Sequence, residues 1–256
     1  MFRVVIPARF GSTRLPGKPL LNIAGRPMLQ WVHERASSSG AQQVIIATDD
    51  DRIAAVARGF GALVRMTSLT HVSGTDRIAE VAHIEGWEPF DIVVNVQGDE
   101  PLLPPQLIDQ VAALLHAHAD AAIATLATPI ISLASLLDPN VVKVVTDLQQ
   151  RALLFSRAPI PWSRDTAPGG MASQRSYAGA RRHLGIYAYR VSALQRIGSL
   201  RPTQLEQIEK LEQLRALENG MDIRVADASV LPGPDVNTAE DLARAAAVLT
   251  AGSMSP

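Results

Sequence analysis

Three short apolar runs near the start of the chain, separated by stretches with helical periodicity, constrain its fold more than any other feature. Phe2 to Ile6, Gln43 to Thr48 and Ala62 to Met66 are rich in β-branched residues and too short for helices, so they read as buried strands. Between the first two, Pro27 opens a helix whose apolar stripe of Met28, Leu29, Trp31 and Val32 ends near Gly40. Asp49 is placed to cap a second helix running to about Arg58. Strand, helix, strand, helix, strand in that order predicts an α/β fold, a mostly parallel sheet with helices on both faces.

The first strand runs into Pro7-Ala8-Arg9-Phe10-Gly11-Ser12-Thr13-Arg14-Leu15-Pro16-Gly17-Lys18-Pro19, which cannot be a regular element. Its prolines remove backbone donors, its glycines open unusual dihedrals, and Arg9, Arg14 and Lys18 spread three cations through it. Small residues admit a polyanion close to the backbone while the cations balance its charge, so the loop suits phosphate; read alone it also suits a solvated basic loop. It matches neither the Walker pattern nor the dinucleotide fingerprint, because the required glycine spacing is missing.

The chain carries 24 basic and 25 acidic side chains over 256 residues, so no general nucleic-acid or membrane surface is expected and any basic site is local. Cysteine is absent, which removes thiolate nucleophiles and cysteine metal sites and fits a reducing compartment. No run of about 18 apolar residues or targeting segment is visible, so a soluble cytoplasmic protein is expected.

Downstream, Ser73-Gly74-Thr75 leads into a helix that Ser73 or Thr75 suits as a cap, with hydrogen bonding to a base or ribose as the functional alternative. Asp91 to Val96 is a central strand, after which Gly98 turns the chain so that Asp99 and Glu100 emerge at a carboxyl end, where open α/β sheets place ligands. Adjacent carboxylates there suit Mg²⁺ bound to phosphate; the prolines at 104 and 105 separate them from the next helix and disfavour a capping role. Strands follow at Ala121 to Thr128, Pro139 to Asp147 and Arg181 to Tyr189, the last carrying His183 and Tyr187 on one face. Residues 157–180 form an irregular arm, a binding loop, lid or oligomer contact on a single domain spanning 1–256. The apolar residues at 205, 208, 211, 214 and 217 predict one helix from Gln204 to Asn219, and the glutamates at 206, 209 and 212, taken alone, read as its solvated face.

Several of these pieces together resemble the 3-deoxy-manno-octulosonate (Kdo) cytidylyltransferases. They are Ile6-Pro7-Ala8-Arg9 through Pro19, Ala47-Thr48-Asp49, Ser73-Gly74-Thr75, Asn95 to Pro101, Phe155-Ser156-Arg157, Ile160-Pro161-Trp162, Arg182 to Tyr187, and Leu211 to Arg215, in family order over almost the whole chain. The resemblance implies a Rossmann-like domain of the nucleotide-diphospho-sugar transferase type with a dimerisation arm. It also implies a homodimeric enzyme that joins CTP and Kdo into CMP-Kdo with Mg²⁺, releasing pyrophosphate, for lipopolysaccharide biosynthesis. Carried over residue by residue, Arg9, Lys18 and Asp99 are catalytic. Pro7, Ala8, Arg9, Arg14, Lys18, Ser73, Thr75 and Gln97 bind the nucleotide. Arg157, His183, Tyr187, Glu212 and Gln213 line the sugar pocket, with Arg157 expected on the sugar carboxylate.

Asp99 is the expected metal ligand. The family's second ligand, the Asp of a Val-Asp-Thr piece, is Asn237 here, and Asp235 lies two residues earlier as a substitute. Rival readings are a cytidylyltransferase for another acidic sugar, such as a sialic acid or 8-amino-Kdo, a metal-dependent glycosyltransferase, and a catalytically silent nucleotide-binding module.

Overall fold

The computed structural model describes residues 1–11, 15–71 and 73–252. In chain order the first elements are β1 (Phe2–Ala8), a small hairpin of β2 (Asn22–Ile23) and β3 (Arg26–Pro27), α1 (Met28–Ser37), β4 (Val44–Thr48), α2 (Asp51–Gly59) and β5 (Leu63–Met66). Then come α3 (Gly74–Ile84), β6 (Ile92–Asn95), α4 (Pro105–Ala117), β7 (Ile123–Pro129), α5 (Leu133–Leu137), β8 (Lys143–Thr146) and β9 (Ala152–Ser156). The chain closes with β10 (Arg181–Arg190), α6 (Val191–Ser199), α7 (Gln204–Glu209), α8 (Gln213–Glu218), β11 (Ile223–Asp227) and α9 (Ala239–Gly252).

The main sheet runs β11-β7-β10-β6-β1-β4-β5, with β8 joining β10 to β9. β1 pairs in parallel with β4 and β6, as do β4 with β5 and β7 with β11, whereas β10 is antiparallel to β6, β7 and β8. Alternation along β1 splits the core in two. Val4 and Ile6 join Leu29, Val32, Ile53 and Leu107, so α1, α2 and α4 cover one face. Val5 joins Ile78, Val81, Leu194 and Leu214, so α3, α6 and α8 cover the other. Each such buried side chain contributes roughly 1.5–3 kcal/mol by leaving water, so the sheet carries helices on both faces, as its pattern predicts.

Three local expectations are corrected. The second helix is capped by Asp50, whose carboxylate accepts from the amides of Arg52 and Ile53, while Asp49 turns inward to pair with Arg77 at 2.7 Å. The helix expected from Gln204 to Asn219 is broken at Lys210, which adopts a left-handed conformation at φ 54°. The break follows from side-chain demands: Glu209 accepts from Ser156 Oγ and the Arg157 amide, and Glu206 forms a two-pronged pair with Arg215. The three glutamates are therefore no solvated face, and the break leaves Leu205 and Ile208 in solvent while Leu211 and Leu214 are buried.

β10 covers the expected strand and keeps His183 and Tyr187 together, and it carries a bulge. His183 lies opposite Ala127 and Tyr187 opposite Thr125, so four steps on β10 match two on β7, two residues in excess. The arm at 157–180 holds two single 3₁₀ turns, Arg164–Thr166 and Met171–Ser173, organised around the buried Gln174, whose Oε1 accepts from Thr166 Oγ1 and the amides of Arg175 and Ser176. Among the described residues, no helix is long and apolar enough to cross a membrane.

Candidate active site

β1 and β6 are parallel neighbours, so the loops leaving their carboxyl ends emerge side by side. A Cβ at residue 98 would lie 3.2 Å from the Pro7 carbonyl oxygen, and glycine there lets the two loops touch. Gly17, at φ 67°, starts the turn that directs Lys18 inward. Lys18 Nζ donates to Asp99 Oδ2 at 2.5 Å and to Asn237 Oδ1 at 3.4 Å.

Three cavities meet around Gln97. The first, about 420 Å³, is walled by Pro7, Ala8, Arg9, Lys18, Asp99 and Asn237. The second, about 230 Å³, lies between Ala8, Arg9, Ser73, Arg77 and Glu212. The third, about 390 Å³, is bounded by Thr75, Asp99, Arg182, His183, Tyr187, Glu212, Gln213 and Asp235. Gln97 lines all three, and Asp99 stands between the first and the third. A triphosphate beside the cations, a nucleoside in the second space and an acceptor in the third would have their reacting atoms converge at this pair.

All the expected site residues among those described line these cavities except Arg157. Its Nη1 donates to the Pro139 carbonyl at 2.9 Å and its Nε to the Glu209 carbonyl at 2.7 Å, which holds the guanidinium behind the wall. Arg14 falls outside the described residues. Ser73 is the N-cap of α3, accepting from the Asp76 amide, and also lines the second cavity. Asp99 caps nothing, because α4 begins after Pro104 with no side-chain cap.

The acids of the third cavity differ by environment. Glu212 accepts from Thr75 Oγ1 at 3.1 Å, and burial raises its carboxyl above the usual range. Glu100 is raised further, by burial first and then by the charges of Asp235 and Asp99. Asp235 is raised by burial and by Asp99. Among the described residues, Arg182 makes no hydrogen bond or ion pair and is the one arginine that lines this cavity. Asn95 Oδ1, Glu100 Oε2, Tyr187 Oη and Glu212 Oε1 are buried without partners. Four orphaned polar atoms around one space fit a ligand rich in hydroxyl groups, which would satisfy them.

Sequence reasoning missed Arg182, Asn95, Asn140 and His71 as wall residues. Asn95 left a signal, as a lone amide inside an apolar strand; Arg182 left only its place beside His183.

The sheet, the basic loop and the acid at its strand end define a nucleotidyltransferase, and a family model described as cytidylyltransferase matches residues 3–223. The 3-deoxy-manno-octulosonate cytidylyltransferases of Thioalkalivibrio sulfidiphilus and Pseudomonas fluorescens are each 55% identical over 250 residues, covering 98% of this chain and 99% and 98% of theirs. A solved structure of CMP:2-keto-3-deoxy-manno-octonic acid synthetase complexed with CTP superposes with a TM-score of 0.88 at 41% identity, over 98% of both chains. The chain belongs to the 3-deoxy-manno-octulosonate cytidylyltransferase family.

Proposed function

We propose that this chain transfers CMP from CTP to Kdo, giving CMP-Kdo and pyrophosphate and activating the sugar for lipopolysaccharide biosynthesis. The observation that carries the reading is the junction at Gln97 and Asp99, where the cavity walled by Arg9 and Lys18 opens onto one rich in orphaned polar atoms. A sugar hydroxyl oxygen forms a bond to the α-phosphorus while the bond from that phosphorus to the pyrophosphate oxygen breaks. The electron pair leaves with pyrophosphate and the hydroxyl proton passes to water. Arg9 and Lys18 neutralise the leaving group, and catalysis is chiefly positioning and charge stabilisation. Arg182, free in the sugar cavity, is the side chain we assign to the Kdo carboxylate, with Arg157 supporting the wall behind it.

Mg²⁺ fits the donors at the junction. Asp99 and Asn237 offer a carboxylate and an amide oxygen that already share the Lys18 ammonium, a donor set suited to a hard cation completed by phosphate oxygens. When bound, the ion supplies positive charge at the phosphates. Asp235 lines the sugar cavity, whereas Asn237 lines the phosphate cavity. The loop between them is pinned by the Val236 amide on the Asp99 carbonyl and by the Asn237 amide on Asp241, so we keep Asn237 as the second ligand.

The chain is read as one nucleotidyltransferase domain and as a cytoplasmic homodimer. Trp162, Met171 and Tyr177 on the arm, with Leu205 and Ile208 on α7, expose apolar area suited to a second copy, and sedimentation analysis tests this. The test of activity is pyrophosphate release from CTP and Mg²⁺ with Kdo, a sialic acid or no sugar. Release dependent on Kdo supports the reading. Release with the sialic acid alone replaces the substrate, and CTP binding without release under any condition replaces the enzyme by a nucleotide-binding module.

A further inference from the structure

Thr125, on β7, is fully buried, and its Oγ1 meets three groups of the β10 bulge: the Ile186 carbonyl at 2.7 Å, the Leu184 carbonyl at 3.2 Å and His183 Nε2 at 3.1 Å. A hydroxyl has one proton to give. Were it given to His183, the Ile186 carbonyl oxygen would face a hydroxyl lone pair at 2.7 Å, an unrelieved repulsion between acceptors. The proton therefore goes to Ile186, and the Thr125 oxygen is left to accept from the ring. His183 Nε2 must then carry the hydrogen.

The ring has no other hydrogen bond among the described residues, and burial, with Arg182 beside it, lowers its pKa to about 3. At neutral pH it holds one proton, and a neutral imidazole protonated at Nε2 has a lone pair at Nδ1. Phe155 meets the ring edge-on at 4.9 Å and Tyr187 lies 5.2 Å away, so the ring is held by packing as well. His183 lines the cavity assigned above to the sugar.

We propose that Thr125 is a positioning residue that fixes His183 in the Nε2–H tautomer, making Nδ1 an acceptor for a hydroxyl of the bound sugar. The second half rests on the assignment of that cavity to Kdo; the tautomer does not. Such an acceptor discriminates in chemistry as well as shape. It rewards a donor at one position of the ligand and leaves a buried acceptor unpaired when that position lacks one.

Long-range proton–nitrogen correlation spectra of the ¹⁵N-labelled protein at pH 7 read the tautomer with no substrate present. His183 is expected to show a protonated Nε2 and an unprotonated Nδ1; a protonated Nδ1, or an imidazolium, overturns the proposal without need of any variant. Thr125→Val is expected to turn the pattern into a mixture of tautomers and raise KM for Kdo about tenfold, with kcat within about twofold. Thr125→Ser, which keeps the hydroxyl, is expected to restore both. A folded Thr125→Val with an unchanged tautomer overturns the positioning role. Binding of Kdo is expected to move the Nδ1 resonance and leave Nε2 protonated, and an unmoved Nδ1 at saturation overturns the acceptor role. Failure of Kdo to bind at all removes the substrate reading and leaves the tautomer result standing.

Discussion

The rings of His183 and Tyr187 lie 5.2 Å apart, although four residues of regular strand would separate them by about 13 Å. The bulge in β10 closes the gap, and Thr125 holds it closed by donating to the Ile186 carbonyl and accepting from the His183 ring. One irregularity in the ladder thus brings two side chains of the third cavity together.

Burial of His183 has a consequence for acid stability. Its folded pKa of about 3 lies below the ordinary 6.5, so between those values the unfolded chain binds a proton that the folded chain does not. Stability therefore rises with pH across this window and is lost as pH falls through it. In urea titrations at a series of pH values, His183→Gln is expected to reduce the slope by about one proton; an unchanged slope would show that the ring titrates normally.

Arg182 and Arg157 are expected to separate cleanly. Arg182→Ala removes the cavity's free guanidinium, so KM for Kdo should rise about 10- to 100-fold with KM for CTP little changed. Arg157→Ala removes bonds to two backbone carbonyls, so thermal unfolding should shift first. The reverse pattern in steady-state kinetics and melting would return the carboxylate to Arg157.

Asp99→Ala should lower pyrophosphate release at least about 100-fold, because it removes charge where the cavities meet. Retained turnover would overturn the proposal of a metal at this position.

Asn237→Asp adds a carboxylate beside Lys18 and Asp99. Mn²⁺ titration followed by paramagnetic resonance should show affinity raised about tenfold, ~1.4 kcal/mol. An unaltered affinity, together with a loss in Asp235→Asn, would move the second ligand to Asp235.

Lys143 is wholly buried, and its ammonium donates to the carbonyls of Asp138, Val141 and Arg157 at 2.9, 2.6 and 2.7 Å. It ties the start of the arm to the loop carrying Asn140. Lys143→Met should cost about 2–4 kcal/mol in urea unfolding, since it leaves buried carbonyls unpaired.

The strands and helices around β1 were legible because alternation of period 2 and stripes of period 3.6 report burial directly, and burial of Val4, Val5 and Ile6 on opposite faces is what makes the sheet two-sided. That the chain leaves β1 in an irregular segment, and that Asp99 follows the carboxyl end of β6, was legible because prolines and glycines end regular elements. Periodicity carries no record of which distant group a side chain meets. Glu206, Glu209 and Glu212 look alike in sequence, yet one pairs with Arg215, one holds Ser156 and the Arg157 amide, and one enters the cavity to meet Thr75. The same long-range bonds break the helix at Lys210, withdraw Arg157 from the cavity while Arg182 stays free in it, and fold β10 around Thr125. The sequence by itself determined the layers of this protein and the cationic, proline- and glycine-rich character of the loop after β1. Only the tertiary structure decided the cavity around His183, because its walls are matched across the chain by hydrogen bonds that no local pattern encodes.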